Sequence, residues 1–135
     1  MTFLFDSSAI IDLCSKRSAD KLLEGWTLDL AFYEVGNAVW KQVYLFKTLT
    51  PDEGMTSLDA VTEVVKMIRK VPVDDFLETL RIAVEEGLTY YDATYLQAAI
   101  KNKKTLVTND EKLRVAAKKY VKTMTGDELH GLASM

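Results

Sequence analysis

The sequence contains one histidine and one cysteine among 135 residues, and this shortage excludes several kinds of catalytic site. Zinc sites usually use several histidine or cysteine ligands, which this chain does not have. Because Cys14 is alone, no intrachain disulfide can form and nothing indicates an oxidising compartment. A serine–histidine–aspartate triad would depend entirely on His130. Any metal bound here would have oxygen ligands, which favours magnesium or manganese.

Signals for membranes and for phosphate loops are also missing. The sequence has no GK[ST] motif, and no stretch approaches the roughly 20 apolar residues of a membrane span. The opening residues are too soon acidic for a signal peptide, so we expect a cytoplasmic protein. The length and the lack of a linker predict a single domain over residues 1–135. The net charge of -3 gives no indication of nucleic acid.

Short apolar runs alternate with amphipathic segments along the chain, which predicts an α/β fold with a parallel sheet covered on both faces. The predicted strands are residues 3–5, 27–32, 70–73, 105–108 and 122–125. The predicted helices begin after residue 6, at residue 33 (to 46), at 51, at 75 (to 86), near 92 and at 112 (to 120). Thr50, Pro51 and Glu53 form a helix-start signal with a capping box, and Gly87 predicts a helix end.

Four acidic residues follow or flank the predicted strand ends. Asp6 comes directly after the first strand, Glu34 follows the second, and Asp110 follows the 105–108 strand. Asp92 lies at a predicted helix start. In parallel α/β sheets the carboxyl ends of the strands and the following helix starts share one edge, where ligands bind. We therefore expect these four carboxylates to be neighbours, although they are far apart in sequence.

Each acid taken singly has a simpler interpretation, because Asp and Glu at a helix start usually cap free N–H groups. This alternative is strongest for Asp92 and Asp110. A cluster of all four would raise their pKa values and cost stability unless a divalent cation offset the repulsion. Four acids suit one or two such ions, and paired ions stabilise the attacking and leaving oxygens of a phosphodiester. The conjunction therefore points to hydrolysis of a nucleic-acid backbone.

Four segments carry a resemblance to a known family. They read FDSSAIID from residue 5, YEVGNA from residue 33, YDATYLQAA from residue 91 and LVTNDEKL from residue 106. In these segments the sequence resembles the PIN-domain family, and especially the ribonuclease toxins, called VapC, of VapBC toxin–antitoxin modules. The segments occur in the family's order and span nearly the whole chain.

The resemblance implies a three-layer PIN-like fold with a central five-stranded parallel sheet and helices on both faces. It also implies an Mg²⁺- or Mn²⁺-dependent endoribonuclease, the toxin of a toxin–antitoxin pair, with a VapB-like antitoxin as partner and a homodimeric state. The expected catalytic and metal-binding residues are Asp6, Glu34, Asp92 and Asp110. The expected groups that orient a carboxylate or a water are Ser8, Thr108 and, less strongly, Asn37.

Two further features bear on partners. A basic stretch with few acids flanks Asp92 and Asp110 and could steer RNA, although its side chains could equally be solvated helix faces. Its members are Lys101, Lys103, Lys104, Lys112, Arg114, Lys118, Lys119 and Lys122. One predicted helix is rich in aromatic residues (Tyr33, Trp40, Tyr44 and Phe46), most of which we expect in the core. Any left exposed would suit a homodimer face or an antitoxin groove.

Other acidic-pocket proteins fit less well. A haloacid-dehalogenase phosphatase needs a second aspartate two residues after the first, and Ser8 occupies that position. A receiver domain needs paired acids after its first strand. The alternative from another class is a non-catalytic PIN-like module that only binds RNA or protein, and the four acids argue against it.

Overall fold

Five short strands form one parallel sheet in a computed structural model that describes residues 2–133. The strands are β1 (Phe3–Phe5), β2 (Trp26–Thr27), β3 (Arg69–Lys70), β4 (Thr105–Val107) and β5 (Thr123–Met124). Their order across the sheet is β3-β2-β1-β4-β5, and every neighbouring pair is parallel. The predicted α/β class and five-stranded parallel sheet are confirmed.

Helices cover both faces of this sheet. They are α1 (Ser7–Ser15), α2 (Ala19–Leu22), α3 (Leu30–Trp40), α4 (Pro51–Met67), α5 (Phe76–Glu86), α6 (Tyr90–Lys101), α7 (Glu111–Ala117) and α8 (Gly126–Ala133). Side chains alternate along a strand, so Leu4 and Leu106 contact the core under α5, α6 and α7. Phe5 and Val107 contact the opposite core, which α1, α2, α4 and α8 complete. The predicted three layers are confirmed.

Local signals set several element ends as predicted. The Thr50 hydroxyl accepts from the Glu53 N–H, and the Glu53 carboxylate accepts from the Thr50 N–H, so the capping box of α4 is complete. Gly87 ends α5 with φ of 68°, a left-handed conformation that glycine adopts at little cost. The strand predicted around Pro72 lies at the sheet edge, although it is confined to β3 and ends before the proline.

The predicted strand over residues 27–32 is wrong for most of its length. The segment contains alternating apolar residues, but only Thr27 belongs to β2, and α3 begins at Leu30. The buried side chains here are Leu28, Ala31 and Val35, which recur at helical spacing and have no exposed surface. Helical burial of these three residues therefore outweighs the two-residue alternation of the segment.

The aromatic residues around α3 were wrongly expected in the core. Tyr33, Trp40, Tyr44 and Phe46 are 77%, 48%, 62% and 62% exposed. Small and branched side chains of α3 and of the residues that follow it instead pack against α4, where a Cβ at Gly54 would lie 3.4 Å from a Val39 methyl and 2.6 Å from a Val43 methyl. The chain also widens into a π-helical segment, Lys41–Leu45, directly after α3. Close approach of the helices leaves the large rings outside.

Two helices were not predicted, although Thr125 and Glu128 form a capping box at the start of α8. The short α2 contributes the buried Leu22, and α8 contributes the buried Leu129 to the same core. Among the described residues, no helix combines the length and apolar character that crossing a membrane requires.

Candidate active site

Four acidic side chains lie where the sheet's strands end, and we call Asp6, Glu34, Asp92 and Asp110 the acid cluster. Asp6 directly follows β1, and Asp110 follows β4 and immediately precedes α7. Asp92 lies in the first turn of α6. Glu34 lies one turn into α3, because that helix begins earlier than predicted. The parallel topology thus brings residues from across the chain to one edge of the sheet.

Asp6 is the most buried member of the acid cluster, with 4% of its surface exposed. Its Oδ1 accepts hydrogen bonds from the Ser8 hydroxyl (2.7 Å) and from the Ala9 N–H (2.9 Å), which caps α1. Its Oδ2 accepts one from the Thr108 hydroxyl. Burial nevertheless raises the pKa of Asp6 to about 6, because the donors only partly replace water and Glu34 adds repulsion. Asp6 is held in one orientation but is costly to ionise.

The two hydroxyls on Asp6 also fix the neighbouring loop. Ser8 Oγ and Thr108 Oγ1 lie 3.3 Å apart. Ser8 Oγ accepts from the Asn109 N–H (2.9 Å), and Thr108 Oγ1 accepts from the Asp110 N–H (3.0 Å). The same network therefore orients the carboxylate of Asp6 and the backbone that carries Asp110. Sequence reasoning selected Ser8 and Thr108 as orienting groups, and the structure places both in contact with Asp6.

Glu34 lies beside Tyr95, a buried tyrosine. Its Oε1 and the hydroxyl of Tyr95 are both buried, and neither has a hydrogen-bond partner among residues 2–133. The two groups nevertheless act on each other. Burial raises the pKa of Glu34, the nearby Tyr95 and Ser7 hydroxyls lower it, and Asp92 raises it by repulsion. Burial and then the charge of Glu34 raise the pKa of Tyr95. They are therefore close neighbours without a well-formed hydrogen bond.

The other two acids differ in their local role. The cap of α6 is Thr89, whose hydroxyl accepts from the Asp92 N–H (3.1 Å), so the alternative of Asp92 as a plain cap is wrong. Asp110 does cap α7, since its Oδ1 accepts from the Leu113 N–H (2.9 Å). Burial and repulsion from Asp110 raise the pKa of Asp92, while a hydrogen bond with Thr89 and then the charge of Lys112 lower it. The Asp92 carboxylate therefore does not cap α6, and it interacts with Thr89, Asp110 and Lys112.

Repulsion connects the whole acid cluster. Glu34 acts on Asp6, Asp92 acts on Glu34, and Asp110 acts on Asp92. A divalent cation would remove this repulsion, and carboxylates with one unpartnered buried oxygen suit Mg²⁺ or Mn²⁺. In the described part of the chain no three acidic, histidine or cysteine side chains form a ready-made metal cage. A cation here would accordingly use few direct ligands and keep water, as magnesium commonly does.

An open cavity of about 450 Å³ adjoins Glu34. It is lined by Leu30, Tyr33, Glu34, Asn37 and Tyr91, so only one member of the acid cluster reaches its wall. Asn37 is exposed there, one helical turn after Glu34. The Tyr33 and Tyr91 rings are 77% and 60% exposed. The cavity combines a carboxylate with accessible aromatic surface, a combination that suits a ligand with both polar and flat apolar parts.

The basic stretch of residues 101–122 is distributed over several surfaces. Lys101 and Lys119 form salt bridges with acidic side chains, and Lys104 lies 3.5 Å from the centroid of an indole ring. Lys112 is different, because it lies near enough to Asp92 for its charge to lower the pKa of that carboxyl group. Three members of the stretch are therefore engaged in other contacts, while the charge of Lys112 acts on the acid cluster.

Sequence reasoning missed Tyr95 and Ser7. A signal for Tyr95 existed, because it lies three residues after Asp92 and residues at this spacing share one helix face. Its burial could not be predicted from the sequence, since Tyr90 and Tyr91 of the same helix could equally have been the buried tyrosine. Ser7 precedes the predicted orienting residue Ser8. Only the fold shows that Ser8 contacts Asp6 whereas Ser7 acts on Glu34.

Comparison with known proteins places this site in a family. The model of the PIN domain matches residues 3–119, which include all of the acid cluster. The chain belongs to the PIN domain family.

Two relatives from Pyrobaculum aerophilum have names that state an activity. Exonuclease VapC9 is 36% identical over 123 residues, with 86% of each chain covered. Ribonuclease VapC3 is 33% identical over 125 residues, covering 84% of this chain and 92% of the relative.

Solved structures share the fold. The crystal structure of PAE2754 from Pyrobaculum aerophilum matches with a TM-score of 0.83 and 28% identity, covering 100% of this chain and 98% of that one. The structure of FitAcB from Neisseria gonorrhoeae matches with a TM-score of 0.65, covering 93% of this chain and 98% of that one. Its sequence identity is 17%, so this likeness concerns the fold alone.

Proposed function

We propose that this protein is a metal-dependent ribonuclease that hydrolyses RNA phosphodiester bonds at the acid cluster. The observation that carries the proposal is the mutual repulsion of four carboxylates held at one edge by four different elements. Such a cluster destabilises a fold unless a cation offsets it. The names of the two relatives, an exonuclease and a ribonuclease, support a nuclease of the same kind.

Asp6, Asp92 and Asp110 would hold Mg²⁺ or Mn²⁺ directly or through water, and Glu34 would be a further ligand or would position the attacking water. When bound, the cation lowers the pKa of water and offsets charge that develops on the phosphate. The Ser8 and Thr108 hydroxyls keep the Asp6 carboxylate from rotating. Hydrolysis itself adds a water oxygen to phosphorus, breaks the bond to the leaving sugar oxygen and returns a proton to that oxygen.

The substrate class rests on charge as well as on the relatives. Lys112 is close enough to the acid cluster to lower the pKa of Asp92, so a phosphate brought to the cluster would meet this cation. Asn37 and the exposed rings of Tyr33 and Tyr91 line the adjoining cavity, where a nucleotide next to the cleaved bond would lie. A single-stranded RNA offers both the phosphate and a flat base.

The partners belong to the proposal too. The relatives carry the name VapC, and we propose that this chain is likewise a toxin that an antitoxin protein neutralises. We also propose a homodimer, because Phe76, Leu77, Leu80 and Val84 leave one side of α5 apolar and exposed. The cytoplasmic location expected from the sequence stays a prediction.

The test is cleavage of a labelled single-stranded RNA by the purified protein with Mg²⁺ or Mn²⁺. We expect cleavage that EDTA abolishes and that the Asp6→Asn variant does not support. The variant keeps the shape of the side chain and removes its charge, so a loss of cleavage reports on cation binding and not on folding.

Metal binding measured by calorimetry on the same samples separates the possible failures. A protein that binds the cation but cleaves no RNA would contradict the substrate class. A folded protein that neither cleaves RNA nor binds a cation would overturn the nuclease function and leave a non-catalytic binding module.

A further inference from the structure

Tyr95 and Glu34 are a buried pair whose polar atoms lack hydrogen-bond partners among residues 2–133. We infer that Tyr95 is a positioning residue: in the cation-bound protein its hydroxyl donates to one oxygen of Glu34 and thereby directs the other oxygen towards the cation. This inference rests on the proposed function. It assigns a role within the site to a residue outside the acid cluster.

The placement of Tyr95 supports this role. It lies on α6 one turn after Asp92, on the same face of the helix, and has no exposed surface. Its hydroxyl is within electrostatic range of Glu34, Asp6 and Asp92. The rest of the ring packs in the core beside α5 and α7. The side chain therefore passes through the core and ends at the acid cluster.

Packing alone does not explain the hydroxyl. A phenylalanine would fill the same core volume without burying a polar atom, and a buried hydroxyl without a partner costs stability. The other tyrosines of the chain are at least 37% exposed, so their hydroxyls do not meet this cost. The Tyr95 hydroxyl lowers the stability of the fold and lies at a cluster of acids, which indicates that it serves the site.

The chemistry of the two groups fits one arrangement. A phenol donates a single hydrogen bond, and an ionised carboxylate accepts on both oxygens. Oε1 is the Glu34 oxygen that is buried without a partner, so a bond from Tyr95 to Oε1 would leave Oε2 for a cation. Groups that hold a metal-binding carboxylate in this way commonly change metal affinity by about 10- to 100-fold when removed.

The experiment compares Tyr95→Phe with Tyr120→Phe in the full chain. The Tyr120 hydroxyl donates to Glu86 (2.6 Å) on the surface, so its removal deletes a satisfied hydroxyl away from the site. We expect Tyr95→Phe to bind Mn²⁺ about tenfold more weakly while the melting temperature of the metal-free protein stays equal or rises. Tyr120→Phe should leave Mn²⁺ affinity unchanged.

A Glu34→Gln background completes the test, because a residue that acts through Glu34 should have no further effect once that carboxylate is gone. Additive losses of Mn²⁺ affinity would overturn the inference, as would a lower melting temperature or an unchanged affinity in Tyr95→Phe. If the wild-type protein itself bound no Mn²⁺, the metal-dependent function and this inference would both fail. Wild-type binding with an unaffected Tyr95→Phe variant would refute the inference alone.

Discussion

The acids at the sheet edge and the acids on the surface of α5 have opposite electrostatic environments. On the surface, Arg81 pairs with Glu78 and Glu85, and the pKa of Glu78 is lowered by its bond to Arg81. The pKa of Glu86 is lowered by its hydrogen bonds from Lys119 and Tyr120. In the acid cluster, burial and like charge raise the pKa values of Asp6, Glu34 and Asp92.

The contrast shows that the same residue types serve stability in one region and oppose it in the other. A carboxylate whose pKa is lowered by folding stabilises the fold when it is ionised, and one whose pKa is raised destabilises it. The surface acids are paired with basic side chains, whereas the acid cluster keeps unfavourable charge that a cation would offset. Each of the following predictions tests one side of this contrast.

The largest expected effect is on catalysis. Asp6→Asn should lower kcat/KM for RNA cleavage by at least about a hundredfold, because the proposed cation binding would contribute several kcal/mol to catalysis. The measurement is the rate of cleavage of a labelled RNA under saturating Mg²⁺. Glu86→Gln serves as the surface control and should cleave at the wild-type rate. Equal losses in the two variants would remove the distinction between the regions.

The next effect is the pH dependence of stability in the metal-free protein. The pKa of Asp6 is about 6 in the folded state, above its usual 3.8, so the folded state binds the proton more tightly. The contribution of Asp6 is therefore most favourable below its usual pKa and is lost as pH rises through about 6. This difference corresponds to about 3 kcal/mol of unfolding free energy, as an upper estimate.

Urea unfolding in EDTA at about pH 4 and about pH 7 measures this contribution. Because the surface acids have the opposite sign, the informative quantity is the difference between the wild type and Asp6→Asn. We expect the variant to be the more stable protein at about pH 7, with the gap narrowing towards about pH 4. A difference in unfolding free energy that does not change with pH would show that the ionised Asp6 carboxylate does not destabilise the fold.

A smaller effect belongs to the capped end of α4. Thr50→Ala removes one hydroxyl of the capping box and should lower the free energy of unfolding by about 1 kcal/mol. The pKa of Glu53 is lowered by hydrogen bonds with Thr50, so its ionised form is favoured in the intact box. Denaturant unfolding at neutral pH provides the measurement, and RNA cleavage should be unchanged. An effect on cleavage would connect α4 to the site.

The smallest effect concerns the positively charged Lys112 side chain near the acid cluster. Lys112→Ala should raise KM severalfold and lower the slope of log kcat/KM against log salt by about 0.7, the value for one phosphate contact on a single strand. Lys119→Ala is the matched control, because Lys119 is paired with Glu86. Cleavage rates over a range of salt concentrations measure both slopes. Identical slopes would place the RNA elsewhere.

Local sequence signals predicted the fold wherever one residue type had a single physical role. The complete capping box at Thr50 and the left-handed Gly87 ended helices where expected. The 27–32 segment was misassigned because its apolar residues satisfy two periodicities, and only packing of α3 on its neighbours selects the helix. The exposed Tyr33 and Trp40 rings were misassigned because hydrophobicity does not state which helix face is covered.

Part of the site could be predicted from the sequence, because the sequence predicts the topology of the sheet. The rule that parallel strand ends share an edge predicts that Asp6 and Asp110 lie close together. It could not assign the cap of α6 to Thr89, since Asp92 is an equally good capping residue. It also could not identify Tyr95, because the burial of a hydroxyl depends on elements far away in the chain.

The sequence by itself determined the alternation of elements, the oxygen-only donor set and the identity of the acids, because these depend on residue type and local spacing. The tertiary structure alone decided how strongly those acids interact electrostatically. Burial at the sheet edge raises the pKa of Asp6, and the neighbouring acids add repulsion that no local pattern encodes. Electrostatic energy depends on distance and on access of water, and both are set only when the helices close over the sheet.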